Sequence, residues 1–228
     1  MNLQLTSPYK KCPYGCPYCV SAFTGKNPYN DEFYNNNKKA YLERLNHIIT
    51  DFGITTVVIT GMTEATLFPE FINDVLGVIS KHKNINIEIQ TANCNFKGNP
   101  NIDVVAYSMN EIPTKLPIAT FGITRYTIIL TDKLAYKDIV NLRKKAGKDK
   151  QITVKYLQKT SNHHPKVDNY IEKHRHIFLA EEIKSLREEH NVWVDEACMD
   201  SKNRYFVFRT DGNLYSSWDF NSKIELKY

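Results

Sequence analysis

The sequence of 228 residues contains no long apolar segment, and this absence limits where the protein can act. No stretch approaches the run of about 18 apolar residues that a helix needs to cross a bilayer. The polar amino terminus also lacks the apolar core of an export signal. We therefore expect a cytoplasmic protein that has no membrane partner.

Internal repeats are absent from the sequence, as are linkers rich in glycine, serine or proline. With 42% hydrophobic residues the chain can bury one substantial core, and about one domain is expected at this length. We predict a single domain over residues 1–228. Its core occupies about residues 1–160, and a C-terminal helix and hairpin occupy about residues 165–228.

Cysteine is scarce, but three of the five cysteines lie close together, as Cys12, Cys16 and Cys19. They are one short of the four sulfurs that close a structural zinc site or a ferredoxin-type site. No Cys or His pair follows at the usual zinc spacing of about 12 to 20 residues, and disulfide frameworks belong to short secreted chains. A cluster held by three protein ligands leaves one iron open to an outside ligand. We favour such a cluster over half of a zinc site or a disulfide with a spare thiol.

The spacing Cys-x3-Cys-x2-Cys, with the aromatic Tyr18 just before the last cysteine, resembles the signature of the radical SAM superfamily. The resemblance implies that Cys12, Cys16 and Cys19 hold one 4Fe–4S cluster, whose open iron binds S-adenosylmethionine, with Tyr18 at the cofactor. It also implies an external one-electron reductant of the flavodoxin or ferredoxin type. Reductive cleavage of the cofactor then gives a 5′-deoxyadenosyl radical that abstracts hydrogen from a substrate. Such an oxygen-sensitive cluster requires reducing surroundings, as in the cytoplasm.

Apolar patterning predicts strands that alternate with helices. Apolar and β-branched runs predict strands at about residues 3–6, 54–60, 85–91, 104–108, 124–130 and 152–157. Helical spacing predicts helices at about residues 41–52, 71–79, 136–145 and 170–190. Alternation of this kind implies parallel strands joined by right-handed crossovers.

Six such units with short helices resemble the open barrel of radical SAM enzymes, whereas a complete eight-stranded barrel typically needs about 250 residues. The predicted fold class is α/β, a partial (β/α)6 barrel with parallel strands and a short C-terminal β-hairpin. Asp211-Gly212, a favoured two-residue turn, places the hairpin within residues 204–218. It resembles the hairpin that opens the C-terminal extension of several peptide-modifying radical SAM enzymes, without that extension's cysteines. Its aromatic residues would cover the open side of the barrel or form a substrate platform.

Groups that bind a cofactor gather at the carboxyl ends of parallel strands. The cysteine loop follows the first strand, and Gly61 and Glu64 follow the second. This stretch resembles the family's glycine-glycine-glutamate sequence, although only one glycine of the pair is kept. The resemblance implies that the Gly61 backbone and the Glu64 carboxylate bind the ammonium group of the cofactor.

Amide and hydroxyl side chains follow the next two strands, as Asn93, Ser108 and Asn110. They both donate and accept the hydrogen bonds that ribose hydroxyls need, and Ser108-x-Asn110 resembles a ribose contact in several family members. Turn geometry alone also favours Asn and Ser in loops, which is the alternative explanation. Arg125 opens the fifth strand, and its guanidinium could form a fork with the cofactor carboxylate.

The two remaining cysteines, Cys94 and Cys198, are too few for a second cluster, so one cluster is predicted. We expect Cys94 to be a small buried residue at the barrel mouth rather than a reactive thiol. The adjacent His163 and His164 point in different directions, and we expect them in a solvated loop.

Positive charge is concentrated in residues 133–175, which hold twelve Lys or Arg against four Asp or Glu, in a chain of formal net charge +5. Such a segment attracts phosphates or acidic groups, although cations also favour the carboxyl end of a helix. We predict an enzyme that modifies a peptide or protein, because of the hairpin and the open barrel. A radical SAM enzyme acting on a nucleotide or RNA is the alternative that the basic segment favours. A non-catalytic iron–sulfur or zinc-binding module is the third possibility.

Overall fold

The structure is a computed structural model that describes residues 1–19, 31–157, 159, 165–195, 205–218 and 220–226. His163, His164 and Cys198 lie outside the described residues, so the expectations for them stay predictions. None of the helices in the described ranges has the length and apolar character needed to cross a bilayer.

Strands and helices alternate along the first two thirds of the chain. The strands are β1 (Asn2–Ser7), β2 (Thr56–Gly61), β3 (Asn86–Thr91), β4 (Val104–Met109), β5 (Ile123–Leu130), β6 (Gln151–Tyr156), β7 (Trp193–Asp195), β8 (Tyr205–Phe208), β9 (Leu214–Tyr215) and β10 (Lys223–Ile224). The helices are α1 (Glu32–Asn36), α2 (Lys38–Asp51), α3 (Pro69–Ile79), α4 (Tyr136–Ala146), α5 (Pro165–His174) and α6 (Ala180–Glu188). A 3₁₀ turn covers Ala65–Leu67.

All the described strands belong to one sheet, in the order β10-β9-β8-β1-β2-β3-β4-β5-β6-β7. Neighbours from β8 to β7 pair in parallel, whereas β9 and β10 extend the sheet in antiparallel fashion. From β1 to β6 the order in space follows the order in sequence, as successive crossovers produce. The predicted α/β class with parallel strands and a C-terminal hairpin is confirmed. Within the described part, the sheet does not close on itself, as expected of a partial barrel.

The two faces of the sheet differ in polarity. On one face, alternate strand residues such as Leu3, Leu5, Val57 and Ile59 are fully buried in a core that includes residues of α2 and α3. Burying each such side chain contributes about 1.5–3 kcal/mol. The other face presents polar residues at the positions between, such as Gln4 beside Leu3 and Leu5. The fold thus leaves a polar inner surface available for a ligand.

The connections after β3 and β4 contain no helix in the structure. Both are anchored by buried tyrosines of the strands, since the Tyr107 hydroxyl donates to the Phe96 carbonyl at 2.6 Å and the Tyr126 hydroxyl to the Pro117 carbonyl at 2.9 Å. Burial raises the pKa of Tyr107 to about 12, so its hydroxyl keeps the proton that it donates. These short loops replace helices as the cover of that face, because loop residues such as Phe96 and Leu116 pack against the core.

Two predictions for the C-terminal part need correction. The helix expected at residues 170–190 is broken into α5 and α6, because Arg175 pairs with Thr131 in an antiparallel bridge and the Asp132 N–H donates to the His174 carbonyl. The hairpin turn has three residues rather than two. Gly212 follows a tight turn with a positive φ of 76°, and the Arg209 N–H donates to the Asn213 carbonyl at 3.1 Å.

Candidate functional site

A cavity of about 690 Å³ lies at the carboxyl ends of the parallel strands. Its volume is in the range of small-molecule sites, about 300–1,000 Å³. Strands β1 to β6, the loop after β1, α5 and the C-terminal tail all contribute to its wall. The polar inner face of the sheet supplies Gln4, Thr60, Gln90, Ser108, Thr127 and Lys155.

The three clustered cysteines lie on the loop after β1, where the Cys19 N–H donates to the Cys16 carbonyl at 3.1 Å. All three are free and partly exposed, and Cys16 and Cys19 line the cavity. Burial raises the pKa of Cys16, and the charges of the Cys19 and Cys12 thiolates raise it further, so the thiols are near enough to interact. Among the described residues, however, no three His, Cys, Asp or Glu side chains converge to hold a metal ion.

Tyr18 packs the cysteine loop against α5, which lines the cavity. Its ring packs against that of Tyr170 in α5 at 6.2 Å between centroids, and it joins a small apolar cluster with Leu157 and Ile171. Burial raises the pKa of Tyr18, and the Cys16 thiolate adds to the shift, so the phenol stays neutral. The loop therefore extends from the end of β1 over the cavity to the end of β6.

Gly61 ends β2 at the cavity wall in a close backbone contact. A Cβ atom there would lie 2.2 Å from the Thr63 carbonyl oxygen and 2.8 Å from Ser7 Oγ, so only glycine fits. The hydroxyls of Ser7 and Thr63 are buried and lack a hydrogen-bond partner in the described part of the chain. A buried polar atom left unpaired costs about 1–3 kcal/mol.

Glu64 lies in the predicted position after β2, but its carboxylate is buried and bonded to the protein itself. Oε1 accepts from the Thr66 N–H at 3.1 Å, the Thr66 hydroxyl at 2.8 Å and the Thr91 hydroxyl at 2.6 Å. Oε2 accepts from the Ala92 N–H at 2.8 Å. A carboxylate offers about four acceptor positions, so Oε2 alone keeps one for a ligand. Glu64 thus joins the loop after β2 to the end of β3, and an ammonium contact stays a prediction.

The three residues predicted to contact a ribose are placed differently. Ser108 and Asn110 line the cavity, and neither side chain has a hydrogen-bond partner among the described residues. Asn93 is engaged within its own loop, since Nδ2 donates to Thr66 Oγ1 at 3.1 Å and Oδ1 accepts from the Asn95 N–H at 3.0 Å. The structure therefore brings Ser108 and Asn110 to the cavity, whereas Asn93 braces the loop.

Arg125 lies near the amino end of β5, away from the end that carries the cavity. Its guanidinium forms an ion pair with Glu88, and Nε donates to Gln151 Oε1 at 2.8 Å. With Gln151 it borders a separate groove at the amino ends of β5, β6 and β7. Arg125 lies near the amino end of β5, and its guanidinium already pairs with Glu88. The structure therefore gives no support for a contact with the cofactor carboxylate.

The cavity also contains residues that were not among the predicted cofactor ligands. Cys94 is exposed at the cavity wall, which corrects the expectation of a buried residue. Tyr205 and Trp218 of the C-terminal tail line the cavity. This position is the one expected if the aromatic residues of the hairpin form a substrate platform. Lys155 was not predicted at the site, although it alternates with Gln151 and Thr153 along β6, and this period-two pattern was the available signal.

Comparison with known proteins adds evidence on the fold. No protein-family model matches the sequence, and no curated protein matches it. A solved structure described as "Native anSMEcpe with bound AdoMet" superimposes with a TM-score of 0.55 and 13% identity, over 97% of this chain and 76% of that chain. The two chains share a fold. At this identity the likeness shows nothing further about the present chain.

Proposed function

We propose that this protein is a radical SAM enzyme that uses S-adenosylmethionine and one 4Fe–4S cluster. The supporting observation is the position of three free cysteines on the loop after β1, two of them at the wall of the cavity at the strand ends. The fold is shared with a structure described as having bound AdoMet, which agrees with the proposal. A cluster of this kind requires reducing surroundings, so we also infer a cytoplasmic location.

The residues at the cavity are of the chemical types that the cluster and its cofactor require. Thiolates are the usual ligands of iron–sulfur clusters, and Cys12, Cys16 and Cys19 would supply three of them. A bound cluster and S-adenosylmethionine supply reductive cleavage of the sulfonium and the radical that abstracts a substrate hydrogen. Gly61 also lines the cavity, where its backbone can face the polar end of the cofactor.

Other residues would orient the cofactor and exclude water. Ser108 and Asn110 offer unpaired hydroxyl and amide groups for a ribose. Tyr18 keeps the cysteine loop packed against Ile171 of α5, which closes that side of the cavity. Water exclusion protects a reactive radical from side reactions. The protein therefore contributes binding and orientation, while the cofactor supplies the difficult chemistry.

We further infer that the substrate is a peptide or protein. The wall of the cavity opposite α5 includes Tyr205 and Trp218, an aromatic surface on which side chains can pack. Part of the basic segment is structural, since buried Arg143 donates to the carbonyls of Gly147, Lys150 and Asn191 at 2.6–3.2 Å. Because Arg143 is used inside the protein, its charge does not support the alternative that the basic segment binds RNA. RNA binding would also fall steeply with salt, whereas apolar peptide contacts would not.

Iron content tests the proposal. Anaerobic reconstitution should give about four irons per chain, with the visible absorbance of a cluster. Replacing Cys12, Cys16 and Cys19 together by Ala should abolish both, whereas Cys94→Ala, outside the loop, should keep them. Retention of iron in the triple variant would contradict the assignment.

Cofactor turnover is the second test. With a strong one-electron reductant the reconstituted protein should slowly cleave S-adenosylmethionine to 5′-deoxyadenosine and methionine. A peptide deuterated at the reacting carbon should pass deuterium into the 5′-deoxyadenosine. The absence of any cleavage would favour a binding module, and deuterium transfer from RNA alone would favour the nucleic-acid alternative.

A further inference from the structure

Lys155 lies on the inner face of β6 and has no assigned role. In the sheet it is opposite Ile129 of β5 on one side and Asp195 of β7 on the other. It lines both the cavity at the carboxyl ends of the strands and the groove at the amino ends of β5, β6 and β7. Its position is therefore deeper in the barrel than the loops that were expected to hold the cofactor.

The ammonium group of Lys155 has no bonded partner in the described part of the chain. It has neither a hydrogen bond nor an ion pair with any described residue, although Asp195 is on the adjacent strand. Among the described residues that line the cavity, no other is a Lys or Arg, and the acidic Glu111 is exposed. A single cation in a partly enclosed cavity attracts an anionic group, because the surrounding protein screens charge less than water does.

The neighbours of Lys155 along the cavity wall are of two kinds. Thr127, two residues before Ile129 on the adjacent strand β5, offers a hydroxyl that can complete the hydrogen bonding of an anion. Ile129, Leu157 and Ile171 offer an apolar surface on the same wall. A ligand that matches both has a carboxylate at the end of an aliphatic stem, as a glutamate side chain does.

We propose that Lys155 binds a carboxylate of the substrate, so that the enzyme selects a peptide with an acidic side chain at the cavity. This inference rests on the proposed function and narrows its substrate class. A charge-assisted bond to a single ammonium group discriminates a carboxylate from its neutral amide by about 10-fold or more.

Fluorescence of Trp218 at the cavity wall can measure this preference. Trp193→Phe removes the other of the two tryptophans, so that the remaining signal comes from the cavity. In this background the reconstituted protein is titrated with N-acetyl-glutamate α-amide and with N-acetyl-glutamine α-amide, which differ in charge but hardly in shape. We expect the acidic probe to bind about 10-fold or more tightly than the neutral one. Equal binding of the two probes, or binding of neither, would overturn the proposal.

Variants of Lys155 then test whether this lysine causes the preference for the acidic probe. Lys155→Met should make the two probes bind equally, Lys155→Arg should retain most of the difference, and far-UV circular dichroism checks folding. Lys137→Met is the matched control, because Lys137 belongs to the same basic segment but is exposed on α4. A preference that survives Lys155→Met, or is lost in Lys137→Met, would contradict the assignment.

The carboxylate of S-adenosylmethionine is the other possible source of the anion. If the substrate supplies it, Lys155→Met should change the affinity for S-adenosylmethionine, measured by equilibrium dialysis, by less than about twofold. A fall of about 10-fold, together with competition between the acidic probe and S-adenosylmethionine, would overturn the substrate assignment. Probe binding needs no turnover, so its failure is distinct from failure of iron binding or cofactor cleavage.

Discussion

The buried carboxylate of Glu64 gives the sharpest test of how the strand-end loops are built. Glu64→Gln keeps the shape of the side chain but replaces one carboxylate oxygen by an NH₂ group. The less damaging orientation leaves the amide oxygen in the place of Oε1, where three donors from Thr66 and Thr91 meet it. The NH₂ group then faces the N–H of Ala92, which formerly donated to Oε2 at 2.8 Å.

The size of the effect follows from these bonds. The part-buried N–H of Ala92 loses its acceptor, which costs about 1–3 kcal/mol. The three retained hydrogen bonds also weaken, because their acceptor is no longer charged. A neutral amide is cheaper to bury than a carboxylate, which offsets part of the loss. We expect the free energy of unfolding to fall by about 3 kcal/mol, or the Tm by about 6–12 °C in a chain of this size.

Urea unfolding followed by circular dichroism measures this change. Glu43→Gln is the matched control, since Glu43 is exposed and its only described ion pair, with Lys39, is 3.9 Å long. It should alter stability by less than about 0.5 kcal/mol. If Glu64→Gln unfolds at the wild-type urea concentration, the bracing role is refuted. A separate fall of about 10- to 150-fold in S-adenosylmethionine affinity would show that Oε2 also holds the ammonium group.

The remaining predictions concern Gly61 and Arg125. Gly61→Ala presses a methyl group against a carbonyl oxygen 2.2 Å away and should lower the free energy of unfolding in urea by about 1–3 kcal/mol. Gly77 lies in α3 with open space around it, so Gly77→Ala should raise the free energy of unfolding by about 0.5–1 kcal/mol. Equal effects of the two substitutions would contradict the close backbone contact at Gly61. Arg125→Met should lower stability by about 2–3 kcal/mol, because it leaves the buried carboxylate of Glu88 without a cation, with only the Gln90 amide still donating to it. Arg125→Met should not change the affinity for S-adenosylmethionine. A lower affinity would indicate that Arg125 binds the cofactor after all.

The strands that pair with their sequence neighbours could be predicted, because local apolar patterning is enough to identify them. The β-branched run before Gly61 indicated β2, and the structure places that strand at Thr56–Gly61. The pairing of β8 with β1 could not be predicted, since no local pattern reports which distant strand will lie alongside. For the same reason, β7, a strand of three residues at the sheet edge, was missed.

The candidate site shows a similar division between residue type and position. Ser108 was correctly expected at the carboxyl end of a strand, and it lines the cavity. Arg125 was chosen for its chemistry, but it opens its strand, and only the last residues of a parallel strand reach the cavity edge. Lys155 was overlooked because it was counted only as part of the basic segment, without regard to the face of the strand on which it lies. Whether a side chain reaches the cavity therefore depends more on its position along the strand and on the face of the sheet than on its residue type.

The pairing of β8 with β1 has a consequence for biosynthesis. One edge of β1 pairs with β2, and its other edge pairs with Tyr205–Phe208, about 200 residues further along the chain. During translation β1 and the cysteine loop that follows it must wait for this distant segment before both edges of the strand are paired. An unpaired edge is open to the wrong partners during that interval, and pairing over so long a separation is slow. Truncation before Tyr205 should therefore yield aggregates, and the thiols of the loop are most vulnerable to oxidation before release from the ribosome.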